Sequence, residues 1–100
     1  MDYAIIWTRS AHNDLRELVR YIAADDPVAA ERFGKAVIRR IEGITSFPKL
    51  GRMVPEIGNE MIREVILSPY RIVYELDEAA GHIAVVRVWH GARGTPELKE

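Results

Sequence analysis

A chain of 100 residues with 48% hydrophobic and 29% charged residues has the composition of one ordinary folded domain, which argues against an intrinsically disordered protein. Its net charge of −1 argues against a globally basic nucleic-acid-binding protein, because such proteins usually carry a large excess of Lys and Arg. The absence of cysteine excludes disulfides and thiolate metal sites.

The histidines and the apolar runs bear on cofactors and location. His12, His82 and His90 are scattered and lack the spacing of ligands on one helix face, so we predict no metal site and no cofactor. The N-terminal MDYAIIW has no basic region followed by an apolar one, as a signal peptide would. No apolar run approaches the roughly 18 residues of a membrane span. The sequence therefore predicts a cytoplasmic protein without a membrane segment.

The first predicted elements are a strand and an amphipathic helix. The run DYAIIW (2–7) predicts a strand that is buried on at least one face. Thr8 or Ser10 can cap the following helix, which we expect to end near Ala24. The apolar side chains of this helix follow a 3.6-residue period, and its other face should be solvated. The apolar stripe is Ala11, Leu15, Leu18, Val19 and Ile22, and the polar face is Asn13, Asp14, Arg16, Glu17 and Arg20.

A second helix follows a very short turn. Asp26 as its N-cap and Pro27 at its first position form a favourable start, and the helix is expected to reach Thr45 or Ser46. Two amphipathic helices joined in this way are expected to pack as an antiparallel hairpin. The apolar stripe of the second helix is Ala30, Phe33, Val37, Ile41 and Ile44.

Three strand-like runs follow a loop. Two prolines, two glycines and an asparagine predict that FPKLGRMVPEIGNE (47–60) is a loop. The connections SP and DEAAG have hairpin length and predict an antiparallel meander of the three runs, MIREVIL (61–67), YRIVYEL (70–76) and HIAVVRVWH (82–90). The predicted order is β-α-α-β-β-β. It indicates an α+β domain, with the helical hairpin packed on one face of a small antiparallel sheet.

The register of these strands decides which residues share a face. A two-residue turn at Ser68-Pro69 places Arg63 and Arg71 on different sides of the sheet, although a longer turn would shift this register. It predicts the pairs Leu67 with Tyr70, Val65 with Ile72, and Arg63 with Tyr74. Alternation divides the last strand into Ile83, Val85, Arg87 and Trp89 on one face and Ala84, Val86, Val88 and His90 on the other. Because both faces are largely apolar, we expect a partner protein to cover the face away from the helices.

Basic residues are concentrated in one part of the chain. Between residues 35 and 52, five basic residues accompany one acid, Glu42. This distribution predicts a locally basic surface, although Arg39 and Arg40 can equally form a solvated helix face. The five residues are Lys35, Arg39, Arg40, Lys49 and Arg52.

Several short motifs occur in a characteristic order along the whole chain. They are Trp7 with A..DL..L..YI (11–22), D.P.AA (25–30), I..I..FP..GR..PE (41–56), Arg63-Glu64, YRIVYE (70–75) and I.V.RVWHGAR (83–93). In this order and spacing the chain resembles the RelE/ParE toxin superfamily of bacterial type II toxin–antitoxin systems. The resemblance implies a single RelE/ParE-like toxin domain over residues 1–100 and a cognate antitoxin, whose C-terminal segment wraps the sheet and helices. It also implies one of two activities: RelE-like members are metal-independent endoribonucleases that cut mRNA in the ribosome, and ParE-like members inhibit DNA gyrase.

The ribonuclease branch requires an acid or base and cations that stabilise the phosphorane. His90 can act as the acid or base, since its reference pKa lies near neutrality, and arginines can bind phosphate. The catalytic residues in that branch would be His90, Arg63, Arg71 and Arg93. Each also has a structural interpretation: His90 as a strand-end residue bonded to the backbone, Arg63 and Arg71 as partners of Glu64 or Glu75, and Arg93 as a solvated tail residue.

The net charge favours the ParE-like branch. A ribosome-directed enzyme works against dense rRNA phosphate and needs many Lys and Arg contacts, whereas a gyrase inhibitor binds a protein surface. RVWHGAR is also common among ParE-like members. We therefore predict a gyrase-directed toxin without catalytic chemistry of its own, neutralised by a ParD-like antitoxin and not binding nucleic acid sequence-specifically. The ribosome-dependent mRNA endonuclease is the alternative, and a non-toxic, partner-binding member of the family is a third reading.

The predicted partner-binding residues lie mainly near the end of the last strand. Trp89 can be an aromatic anchor for a partner or a core residue. Trp7, Tyr21 and Phe33 are interpreted as core. The partner-binding set is Arg63, Arg71, Arg87, Trp89, His90 and Arg93, and we expect the stretch after His90 to be a short mobile tail.

Overall fold

The computed structural model describes residues 2–98 and contains two helices and one sheet. Within this range no helix is both long enough and apolar enough to cross a membrane. The elements in chain order are β1 (Ala4–Trp7), α1 (Arg9–Asp25), α2 (Pro27–Glu42), β2 (Arg52–Met53), β3 (Ile62–Leu67), β4 (Tyr70–Asp77), β5 (His82–His90) and a 3-10 turn (Gly91–Arg93).

The two helices begin at the predicted caps. The Thr8 hydroxyl accepts a hydrogen bond from the Ala11 amide, and the Asp26 carboxylate accepts one from the Ala29 amide. The prediction that α2 reaches Thr45 or Ser46 is wrong, because the helix ends at Glu42. The Thr45 hydroxyl donates to the Glu42 carbonyl, and this local bond competes with a further helical turn.

The sheet has the strand order β1-β5-β4-β3-β2. The α+β class, with the helical hairpin on one face of the sheet, is confirmed. The sheet is mixed rather than wholly antiparallel, because β1 pairs with β5 in parallel. It also has one more strand than predicted, since Arg52 and Met53 form β2 inside the predicted loop and pair with Glu64 and Arg63. Two residues are too few for a period-2 pattern to be visible in the sequence.

The pairing of β3 with β4 has the predicted register. The side chains of β5, which pairs with β4, do not alternate as predicted. Leu67 pairs with Tyr70, and Arg63 with Tyr74. A bulge shifts the pairing between β4 and β5, so that Val73 faces Arg87 whereas Tyr74 faces Val85. The predicted alternation of β5 is therefore wrong beyond the bulge, because an extra residue moves each later side chain to the opposite face.

The main core lies between the helices and the sheet. Val88, which alternation grouped with Ala84, belongs to this core because of the bulge. Its buried members are Ala11, Val37, Ile41, Ile44, Val65, Ile72, Tyr74, Leu76, Ile83, Val85 and Val88, and Trp7 and Phe33 pack against them. The prediction that Tyr21 is a core residue is wrong, since 79% of its surface is exposed.

A second, smaller cluster lies on the opposite face of the sheet. Val54, Ile62 and Val73 form its buried centre, and Ile57 and Leu98 pack against it from the β2–β3 loop and the C-terminal segment. The chain itself therefore covers part of the face for which we expected a partner protein. The sequence did not reveal this cover, because it is formed by segments without regular secondary structure.

Candidate functional site

The second face of the sheet carries a chain of ion pairs centred on Arg71. Its Nε donates to Glu64 Oε1 at 2.6 Å, and its Nη1 and Nη2 donate to the two carboxylate oxygens of Glu56, each at 2.7 Å. Arg52 Nε donates to the other oxygen of Glu64 at 2.7 Å. Arg71 is 8% exposed and Glu64 is 1% exposed, so this network is built into the fold.

These pairs change the acid–base properties of the residues involved. The hydrogen bonds from Arg71, followed by a backbone hydrogen bond, hold the pKa of Glu56 at about 2. The two carboxylates raise the pKa of Arg71 above its already high value. Arg71 is therefore a fixed cation whose carboxylate-binding edges are occupied.

Arg63 holds the loop before β2 through the backbone. Its Nε donates to the Glu60 carbonyl in the β2–β3 loop at 2.9 Å, and its Nη1 donates to the Gly51 carbonyl in the loop before β2 at 2.8 Å. The Tyr74 hydroxyl fixes the same loop by donating to Pro48 and accepting from the Gly51 amide. Burial raises the pKa of Tyr74, which stays a neutral donor. Arg63 is thus a structural clamp on the loop.

Arg87 is paired with a helix residue that the sequence analysis assigned to solvent. Its Nη2 and Nε donate to the two carboxylate oxygens of Asp14 at 2.7 and 2.8 Å, and the Val88 amide donates to the same carboxylate at 3.0 Å. Both side chains are only 13% exposed. The assignment of Asp14 to a solvated face is therefore wrong. The carboxylate joins α1 to β5 and raises the pKa of Arg87.

Trp89 lies under two guanidinium groups. The guanidinium carbon of Arg93 is 3.7 Å from the Trp89 ring centroid, and that of Arg87 is 4.8 Å away. The indole nitrogen donates to the Gly94 carbonyl at 3.1 Å, and Trp89 is 1% exposed. Of the two interpretations of Trp89, the structure supports a buried position rather than an exposed anchor.

The segment after β5, for which we expected a mobile tail, lies against the sheet as far as Leu98 and does not extend away from it. Gly94 turns the chain with a φ of 79°, a conformation that favours glycine. The Gly94 carbonyl accepts from Arg71 and Trp89, and the Glu97 carbonyl accepts from Arg87. Pro96 is buried and Leu98 packs into the second cluster. Residues 91–98, the C-terminal strap, therefore lie against Arg71 and Arg87.

His90 lies where β5 ends, beside the helices. Its Nδ1 accepts the Ala92 amide at 3.0 Å, and its ring contacts Tyr70 edge-on at 5.3 Å between centroids. His90 and Arg93 both line an open cleft of about 330 Å³ between α1 and β5. The cleft is also lined by Asp14, Glu17, Leu18, Tyr21 and Val88.

The structure thus divides the predicted site residues into two groups. His90 and Arg93 share the open cleft, which we call the His90 cleft. Arg63, Arg71 and Arg87 are bound to carboxylates or carbonyls elsewhere. Residues 2–98 contain no group of three or more acidic or histidine side chains arranged to hold a metal ion.

The sequence analysis offered Glu64 as a partner of Arg71, and the structure confirms that pair. Glu64 had a usable signal, because a carboxylate inside an otherwise apolar strand needs a buried cation. The other two acidic partners were missed. Asp14 and Glu56 had no such signal, since one lies on a polar helix face and the other in a loop. Only the three-dimensional fold brings them to Arg87 and Arg71.

Comparisons with known proteins agree with this fold. A model of the family described as the ParE toxin of type II toxin–antitoxin system, parDE, matches residues 5–94. Toxin RelE1 of Caulobacter vibrioides is 30% identical over 91 residues, which cover 91% of this chain and 96% of that protein.

Three solved structures share the fold. A chain of the chromosomal ParDE system from P. aeruginosa has a TM-score of 0.70 at 18% identity and covers 88% of this chain and 95% of its own. A chain of the RelBE2 toxin–antitoxin complex from Mycobacterium tuberculosis has a TM-score of 0.66 at 20% identity and covers 90% of this chain and 99% of its own. A mutant of the E. coli toxin RelE in the free state has a TM-score of 0.61 at 15% identity and covers 94% of this chain and 88% of its own. The protein therefore belongs to the ParE toxin family of type II toxin–antitoxin systems, within the RelE/ParE superfamily.

Proposed function

We propose that this toxin inhibits DNA gyrase through protein contacts in the cytoplasm and is neutralised by a ParD-like antitoxin. The observation that carries the proposal is that three of the arginines that could bind phosphate already have partners within the fold. Arg71 is bound by two glutamates, Arg87 by Asp14, and Arg63 by backbone carbonyls. Metal-independent RNA cleavage needs cations free to stabilise a phosphorane, and these three are already engaged.

The His90 cleft is the surface that we assign to the target. Tyr21 is 79% exposed at its rim, and Arg93 lies across Trp89 beside it. Aromatic and arginine side chains supply much of the binding energy in protein interfaces. A cleft that combines Tyr21, His90 and Arg93 with Glu17 therefore suits contact with a protein surface of mixed charge.

The antitoxin part of the proposal is supported by the solved relatives. The RelBE2 structure from M. tuberculosis is a toxin–antitoxin complex, and the ParDE structure is described as a toxin–antitoxin system. Co-expression of this toxin with its ParD-like antitoxin should yield one co-purifying complex and restore growth. Growth arrest that persists in the presence of that antitoxin would contradict this part.

A ribosome-dependent mRNA endonuclease is the second candidate, because the 30% identical relative is named RelE1. In this chain His90 and Arg93 would be the acid–base and phosphate-binding groups. Arg63 and Arg71 would take part only if they left their present partners.

Two assays run side by side distinguish the candidates. Purified toxin should inhibit supercoiling by gyrase, and Arg93→Glu should weaken inhibition by about tenfold, since it reverses a contact charge. Lys35→Glu, on the exposed face of α2 and outside the cleft, is the matched charge-reversal control. Supercoiling that is unaffected by excess toxin would refute the gyrase proposal. Cleavage of mRNA on ribosomes that is lost in His90→Ala would establish the alternative.

A further inference from the structure

The ring of His90 is held by two kinds of contact. Its Nδ1 accepts a hydrogen bond from the Ala92 amide at 3.0 Å, so that the side chain caps the 3-10 turn after β5. The Tyr70 ring meets it edge-on at 5.3 Å between centroids, and Phe33 packs against Tyr70 at 5.0 Å. These contacts fix the position of the ring and the nitrogen that faces the backbone.

The hydrogen bond from Ala92 determines where the ring proton lies. An amide N–H needs a lone pair, so Nδ1 is unprotonated as long as this hydrogen bond exists. The neutral imidazole carries one proton, which is then on Nε2. A proton on Nδ1 would bring two donors face to face and break the cap. The fold therefore makes Nε2 of His90 a hydrogen-bond donor.

The Nε2 atom is available to a ligand. Within residues 2–98 it has no hydrogen-bond partner, and it is not fully buried. Arg93 lines the same cleft, where its guanidinium carbon lies 3.7 Å from the Trp89 ring centroid. The N–H groups of Arg93 also have no acceptor among the described residues. Two positioned donors without acceptors therefore share the His90 cleft.

The charges around the His90 cleft favour an uncharged acceptor. Asp14 is already bound by Arg87. The other acidic and arginine side chains that line the cleft are Glu17 and Arg93, which have opposite charges. The cleft thus has no excess of positive charge that would attract a phosphate backbone. A peptide carbonyl oxygen is an acceptor without net charge, and a protein surface can present one.

We propose that His90 donates a hydrogen bond through Nε2 to a carbonyl oxygen of the target protein and does not act as a base. This inference rests on the proposed function, because it names the contact that His90 makes with gyrase. A base in RNA cleavage would need an unprotonated Nε2 facing the substrate. The Ala92 cap keeps the proton on that nitrogen.

NMR of the free toxin tests the position of the proton without any substitution. In the neutral ring, the chemical shifts of the two nitrogens distinguish the protonated one from the unprotonated one. Nδ1 of His90 should be unprotonated and Nε2 protonated. The opposite assignment overturns the proposal, whatever the toxin does to gyrase.

Two substitutions separate the roles of the two nitrogens. Asparagine can accept from Ala92 near the position of Nδ1 but has no donor at the position of Nε2, whereas glutamine places an N–H near Nε2 and loses the cap. His90→Asn should therefore weaken inhibition of supercoiling about tenfold, through loss of one hydrogen bond. His90→Gln should recover most of that inhibition but unfold at a lower temperature than His90→Asn.

His82→Asn is the matched control, because His82 begins β5 and lies outside the cleft. It should change inhibition by less than about twofold. If His90→Asn inhibits as well as His82→Asn, or a folded His90→Gln inhibits no better than His90→Asn, the donor contact is overturned and the proposed function stands. Thermal unfolding identifies loss of fold. Wild-type toxin that leaves supercoiling unchanged refutes the proposed function itself, and this contact with it.

Discussion

Arg71 and Glu64 face each other diagonally across β3 and β4, with Arg71 Nε 2.6 Å from Glu64 Oε1 and both side chains buried. A buried ion pair of this kind holds its neighbours in one arrangement, because neither charge tolerates losing its partner. Glu56 and Arg52 extend the pair to the β2–β3 loop and to β2. The arginine that the resemblance offered for catalysis therefore holds the second face together.

Removal of Glu64 tests this structural role. Glu64→Ala leaves two guanidinium groups without a shared carboxylate and should lower the free energy of unfolding by about 3 kcal/mol. Urea denaturation followed by circular dichroism measures the change. Glu31→Ala removes an exposed carboxylate paired with Lys35 on α2 and serves as the control, with no measurable change expected. Equal effects of the two substitutions would show that burial adds nothing to the Glu64 pairs.

The acid stability of the protein should depend on Glu56. Its pKa lies at about 2 in the folded protein, below the ordinary 4.5, so its carboxylate stabilises the fold above pH 4.5. That contribution is lost as the pH falls towards 2. The difference in unfolding free energy between the wild type and Glu56→Gln should therefore be constant at neutral pH and disappear between pH 4.5 and 2. A difference that persists unchanged at pH 2 would contradict the pairing with Arg71.

Gly51 is a position where a side chain does not fit. A Cβ placed there would lie 2.5 Å from the Tyr74 hydroxyl and 2.6 Å from the Glu64 carbonyl, so Gly51→Ala should destabilise by about 1–3 kcal/mol. Gly34→Ala is the matched comparison inside α2, because its Cβ would meet Val19 at an ordinary 3.6 Å. Gly34→Ala should raise the free energy of unfolding by up to about 1 kcal/mol, since alanine has a higher helix propensity than glycine. Thermal unfolding of both variants should show a lower melting temperature for Gly51→Ala and a higher one for Gly34→Ala.

Trp89 should hold the C-terminal strap in place. Trp89→Phe keeps an aromatic ring but removes the indole N–H that donates to the Gly94 carbonyl, and the lost hydrogen bond alone should cost about 1 kcal/mol. The backbone amides of Gly94, Thr95, Glu97 and Leu98 should then exchange faster, as NMR hydrogen exchange would show. Trp7→Phe changes the other tryptophan, in β1 and in contact with the main core, and should leave strap exchange unchanged relative to the remaining amides. Unaltered strap exchange in Trp89→Phe would mean that the other contacts of the strap hold it without this hydrogen bond.

The sequence by itself determined the elements whose residues interact locally. The caps at Thr8 and Asp26, the helical hairpin and the β3–β4 register all follow from neighbours within a few residues or from one short turn. Local hydrogen bonds and hydrophobic periodicity leave visible patterns of this kind. The order and spacing of the short motifs are also visible in the sequence, and they already indicated the RelE/ParE superfamily.

Only the tertiary structure decided where the charged side chains go. Asp14 meets Arg87 across 73 positions of sequence, and a single bulge in β5 reverses the faces of Arg87, Trp89 and Val88. Neither has a local signal, because a salt bridge between distant residues depends on how layers pack and a bulge depends on the whole sheet. For the same reason, His90 and Arg93 lie together at the open cleft, while Arg63, Arg71 and Arg87 are held by partners within the fold.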